Sequence, residues 1–85
     1  MNYSNVKCEL KKWEEEAKRL NACFCNYYDV LKALYPDWEE NEKEYLRDVN
    51  YNIIMNMLKD TSDKEDFARI QHQYFRELYS KLINN

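Results

Sequence analysis

Three cysteines and one histidine are the residues of this sequence best suited to chemistry, and metal ligation is the chemistry they first suggest. Cys23 and Cys25 stand two apart, which on a helix turns their side chains about 200° away from each other. Cys8 falls on the same helical stretch, roughly 22 Å along it from Cys23. There is no Cys-x-x-Cys pair, and a Cys3His site would require that helix to unwind. No metal ligand is therefore assigned, and the thiols read as free groups in a reducing compartment. The same geometry forbids a disulfide within a straight helix, although Cys8, on the outer face, can cross-link two copies on oxidation. His72 lies off the apolar stripe of its segment. A catalytic imidazole needs a nucleophile and an orienting acid, and Ser4, Ser62 and Ser80 sit in no motif that supplies them. The acidic clusters Glu14-Glu15-Glu16, Glu39-Glu40-Glu42 and Asp63-Glu65-Asp66 fall on helical surfaces or helix starts. Within the first, Glu14 with Lys18 and Glu15 with Arg19 form i,i+4 pairs worth only tenths of a kcal/mol each. No catalytic residue and no cofactor follow from these groups, and the expected class is non-enzymatic.

Composition narrows the classes further. The 85 residues include no Gly and one Pro. Phosphate loops, dinucleotide fingerprints, nucleophile elbows and EF-hands need glycine for positive φ or close backbone approach, so they are excluded in their usual forms. Hairpin turns lose their favoured residue too, which argues for helices joined by short connections. A net charge of −3 supplies no basic surface for phosphates, so no direct nucleic-acid partner is expected. No apolar run reaches membrane-spanning length and no charged-then-apolar leader is present, so neither a membrane partner nor export is expected. The expected localisation is cytoplasmic. Abundant Asn, Lys and Tyr with little Gly, Pro and Ala is a bias common in AT-rich genomes, including those of phages and mobile elements.

The elements that must position any site are set by apolar spacing. Val6, Leu10, Trp13, Ala17, Leu20, Phe24, Tyr27, Leu31 and Leu34 follow one another at steps of 4-3-4-3-4-3-4-3. A 3.5-residue repeat held for four heptads predicts one long helix over about 5–35, capped by Ser4 or Asn5. The neighbours of this seam are charged in its first half (Lys7, Glu9, Glu14, Glu16). In its second half they are Cys23, Tyr28, Val30 and Tyr35. A narrow stripe serves one partner helix and a wide one is covered by two, so the second half is expected in a core and the first half against less protein. Pro36-Asp37 ends this helix. A second helix is predicted over about 38–59, with acids in its first turn and Tyr45, Leu46, Val49, Ile53, Ile54, Met57 and Leu58 as its apolar residues. Asp60-Thr61-Ser62 reads as a break, with Ser62 and Glu65 as a capping box for a third helix over about 63–83. Short connections then give an all-α, up-down-up three-helix bundle forming a single domain over residues 1–85.

Tyr35-Pro36-Asp37 between two helices is similar to the His-Pro-Asp loop of J-domains, and Leu46-Arg47-Asp48-Val49-Asn50 is similar to the start of their third helix. The resemblance covers about fifteen residues. It lacks the His on which the co-chaperone action of that family depends, and an uninterrupted helix runs where a J-domain has its first loop, so no function is transferred from it.

Helix lengths suggest where a partner would bind. At 1.5 Å per residue the first helix spans roughly 45 Å and the other two roughly 32 Å each, so its first turns are expected to overhang the bundle. Val6, Leu10, Trp13 and Ala17 would then be open to a second copy or another protein, with Trp38 and Tyr51 as further contact residues. Asn50, Asn52 and Asn56 beside Tyr51 read first as a solvated face; the alternatives are a buried, register-setting Asn50 or a recognition face with Tyr51 that adds adaptable hydrogen bonding. The expectation is a small helical protein-binding module, such as a phage- or mobile-element-encoded inhibitor or adaptor, with a homodimer formed through the first half of helix one. A helical oligomer stacking a small molecule or nucleotide between Trp13, Trp38 and Tyr side chains is the first alternative. A small all-α enzyme is the second, and it requires Arg19, Arg47, Arg69 and Arg76 to converge on one pocket.

Overall fold

A computed structural model describes residues 2–84. Among them run α1 (Tyr3–Leu34, 32 residues), a single turn α2 (Glu42–Tyr45) and α3 (Val49–Ile83, 35 residues). The two long helices lie antiparallel: Tyr3 meets Tyr79, Trp13 meets Phe67 and Tyr35 meets Tyr51. The result is a helical hairpin 58 Å long and 17 Å across. Its radius of gyration is 18.0 Å, where a compact domain of this length has about 12 Å.

The chain is all-helical with a long first helix, as the periodicity predicts, but it is not divided at the expected places. The predicted helix over 38–59 is replaced by turns, by α2 and by a helix start at Val49. The expected break at Asp60-Thr61-Ser62 lies inside α3. Thr61 is buried and its hydroxyl donates to the Met57 carbonyl one turn back at 2.8 Å, while Lys64 reaches Asp60 at 2.9 Å. Residues that favour helix starts thus make bonds within a continuing helix. At the other end, the cap of α1 is Asn2, which accepts the Asn5 backbone N–H at 2.9 Å, rather than Ser4 or Asn5.

Because α3 matches α1 in length, the expected overhang does not exist. Val6 is wholly buried (0% exposed), and Leu10, Trp13 and Ala17 are partly buried. Buried apolar residues recur along the rod at Val6, Leu20 and Leu31 on α1 and at Tyr51, Leu58, Ala68 and Phe75 on α3. The stripe of α1 departs from the predicted seam only at its end, where Tyr35 is buried and Leu34 is turned out. Among the described residues no helix is long and apolar enough to cross a membrane.

Candidate functional site

The best-built part of the molecule is the connector, residues 35–48, together with the helix ends that it joins. Pro36 stops α1, and the Tyr35 N–H closes the last turn on the Leu31 carbonyl at 2.8 Å. Asp48 caps α3 by accepting the Tyr51 backbone N–H at 3.1 Å, and the same oxygen accepts the Tyr35 hydroxyl at 2.9 Å. One carboxylate therefore ties the end of α1 to the start of α3. Asp37, expected to start a long helix, instead braces the connector. It accepts from the Asn41 amide at 2.7 Å and from the Tyr45 hydroxyl at 2.5 Å. Below these bonds Tyr35, Tyr45 and Tyr51 pack as a triangle of rings with centroids 4.9–5.5 Å apart. Leu31, Tyr35, Tyr51 and Leu58 form the core there, covered by Phe24, Tyr27, Tyr28, Trp38, Tyr45, Ile54 and Met55.

Electrostatics follow the same bonds. The hydrogen bond from Tyr45 holds the Asp37 carboxyl below its usual range, and that bond with partial burial pushes the Tyr45 phenol up to about 12. The backbone N–H of Tyr51, then the Tyr35 hydroxyl, hold the Asp48 carboxyl low. Burial first, and the bond to Asp48 second, raise the Tyr35 phenol. Tyr51 is 2% exposed, and its hydroxyl has no hydrogen-bond partner among the described residues.

The outside of this end is apolar and acidic. Leu34, Leu46 and Val49 are 60%, 59% and 70% exposed. Residues 37–48 hold six acids and two bases, a local charge of −4 where the whole chain has −3. On one side Trp38 packs edge-on to Tyr28, and the Lys32 ammonium stands 4.7 Å from the Tyr28 ring centre. These residues with Pro36 and Asp37 line a recess of about 230 Å³.

The six expected contact residues are divided between the two ends of the rod. Val6, Leu10, Trp13 and Ala17 lie toward the terminal end and face α3, while Trp38 and Tyr51 lie at the connector. The Trp13 ring meets Phe67 edge-on at 5.6 Å, and its N–H donates to Glu9 at 3.0 Å. Ala17 lines a shallow groove of about 360 Å³ with Glu14, Asn21, Arg69 and His72. Val6 and Tyr51 are enclosed by their own chain and offer no surface. The proposed Asn-rich face is divided too, because the Asn52 amide donates to the Leu46 carbonyl at 2.8 Å. Trp13 and Trp38 lie at different levels of the rod and are not brought together within one chain. Arg19 pairs with Glu16 at 2.6 Å rather than with Glu15, whereas Lys18 pairs with Glu14 at 3.5 Å as expected. Cys8 and Cys25 are exposed, Cys23 is partly buried, and all three are free thiols. Among the described residues no group of three or more His, Cys, Asp and Glu side chains could hold a metal ion.

The exposed residues that sequence reasoning passed over are Leu34, Leu46 and Val49. Their signal was available: each sits beside a bulky aromatic (Tyr35, Tyr45) or a capping acid (Asp48), which takes the inward position. The chain matches no protein-family model, and neither the curated proteins nor the solved structures contain a significant match to it.

Proposed function

We propose that this chain is a small non-enzymatic helical binding module that acts by occupying a surface on another protein, and that it docks with the connector end. The observation that carries the reading is the trio Leu34, Leu46 and Val49, three large aliphatic side chains mostly open to solvent at one end of a tied and packed connector. Apolar side chains held on a rigid base lose little entropy on binding, which favours their use as anchors. The acids around them select a recess with a basic rim and speed the encounter with it. The four arginines support a non-catalytic role, since all are exposed and two are engaged with Glu16 and Glu65 on separate helices. A phage- or mobile-element-encoded inhibitor or adaptor working in a host cytoplasm is the sharpest form of this reading.

The test is affinity purification from the native host with the wild type and with a Leu34→Asp, Val49→Asp variant of unchanged helicity. A protein recovered with the wild type and lost with the variant is the expected result. Equal recovery with both overturns the connector as the docking end.

A further inference from the structure

Helix α3 carries two stripes. The inner one faces α1 through Tyr51, Leu58, Thr61, Ala68 and Phe75. The outer one runs Ile53, Met57, Asp60, Lys64, Phe67 and, one heptad on, Tyr74, again at 3.5-residue spacing, with Phe67 at its border touching Trp13 of α1 by one edge. Its four apolar members are between 39% and 57% exposed. A seam of this kind, on a helix whose inner stripe is already covered, is a face that a second partner would cover.

The order of residues along the outer stripe says what that partner is. About the level of Ser62 the stripe reads the same way outward in both directions: a charge, then a large apolar residue. An antiparallel copy related by a two-fold axis at that level sets Asp60 against Lys64 of the second copy and Met57 against Phe67, each pairing occurring twice. This is the self-complementarity that an isologous interface demands. Within one chain Asp60 and Lys64 already lie 2.9 Å apart and are mostly exposed, so two copies would bring four alternating charges together.

Area agrees. The broad side of a rod 58 × 17 Å offers about 1,000 Å², against the ~800 Å² per partner of a standard interface. The chain exposes 6530 Å², where a compact monomer of 10.5 kDa exposes roughly 5,400 Å². The excess goes with the rod shape and is of the size that one such interface removes.

We propose that two copies of this chain pair antiparallel through the outer stripe of α3, so that four helices share one core. The surface shares no residue with the connector trio, so this pairing and the docking at the connector stand or fall separately. It also replaces the first half of α1, whose apolar residues face α3, as the place where copies meet.

The test is the mass of the full chain in solution by sedimentation equilibrium. Wild type is expected at twice 10.5 kDa, and Met57→Glu at the monomer mass with its helicity kept. Asp60→Lys alone and Lys64→Asp alone each set like charges together and are expected to weaken pairing by about tenfold or more. Mixing these two variants restores it, because each then meets the opposite charge. A wild-type monomer or an oligomer other than two overturns the proposal. So does a dimer indifferent to Met57→Glu, or one in which the mixed variants gain nothing over either alone.

Discussion

The connector end and the terminal end of the rod are built from the same two helices, yet they are held in different ways. At the connector end α1, α3 and the chain between them enclose Leu31, Tyr35, Tyr51 and Leu58 beneath a cover of aromatic side chains. At the terminal end only two helices meet. The buried residues Val6, Leu20, Ala68 and Phe75 belong to a single stripe with water on both sides, and Tyr3 joins Tyr79 by an exposed hydroxyl pair at 2.8 Å. Two helices alone bury one line of contacts, and a third layer is what turns a line into a core. Here fourteen residues of connector supply that layer.

This contrast breaks or sharpens under substitution. Leu31→Ala opens a cavity that surrounding rings cannot collapse into, and is expected to cost about 2–5 kcal/mol in urea unfolding. Leu20→Ala, at mid-rod and outside the connector core, is expected near or below the low end of that range. Equal losses would erase the distinction between the two ends. A smaller effect is expected from pH. The Tyr45 phenol titrates near 12 in the folded chain, so the stabilisation from its raised value is complete below about pH 10 and is lost as pH rises toward 12. Asp37 is depressed, so its contribution is present above the usual carboxylate range and is lost as pH falls through its lowered value. Titration of tyrosine absorbance in wild type and Asp37→Asn checks this: the variant's highest-titrating phenol should move down. The smallest effect is expected for Thr61→Val, which removes a hydroxyl bonded only to a carbonyl of its own helix. Its unfolding midpoint should barely move, and a large loss would mean that this hydroxyl does more than fill α3.

Periodicity made α1 legible almost to the residue, because one face of it is buried for its whole length. The widening of its stripe in the second half is matched at Cys23, Tyr28 and Tyr35, which are partly or fully covered, but not at Val30, which is 46% exposed. The failures share one cause. Asp-Thr-Ser is a start signal when its side chains turn to free N–H groups, and no signal when Thr61 bonds backward and Lys64 takes Asp60. Conversely Asp48, hidden in an apparently continuous apolar pattern, is a true cap. Composition alone cannot tell the two apart, since the choice depends on which carboxylate a tyrosine 13 residues away can reach. Without that choice the pattern reads as three helices in place of a hairpin, and it implies an overhang of α1 that the long α3 removes. The exposure of Leu34, Leu46 and Val49 is not legible from apolar spacing, because an aliphatic residue beside a buried stripe has the same type as one within it.

A chain that reverses only once must close its contacts in order. Tyr35 and Asp48 are 13 residues apart, while Tyr3 and Tyr79 are separated by 76. Loop-closure entropy rises with that separation unless nearer pairs have already formed. The hairpin is therefore expected to assemble as a zip from its bend, each turn shortening the loop that the next must close, and to open from the free ends inward, which amide hydrogen exchange along α1 and α3 would check.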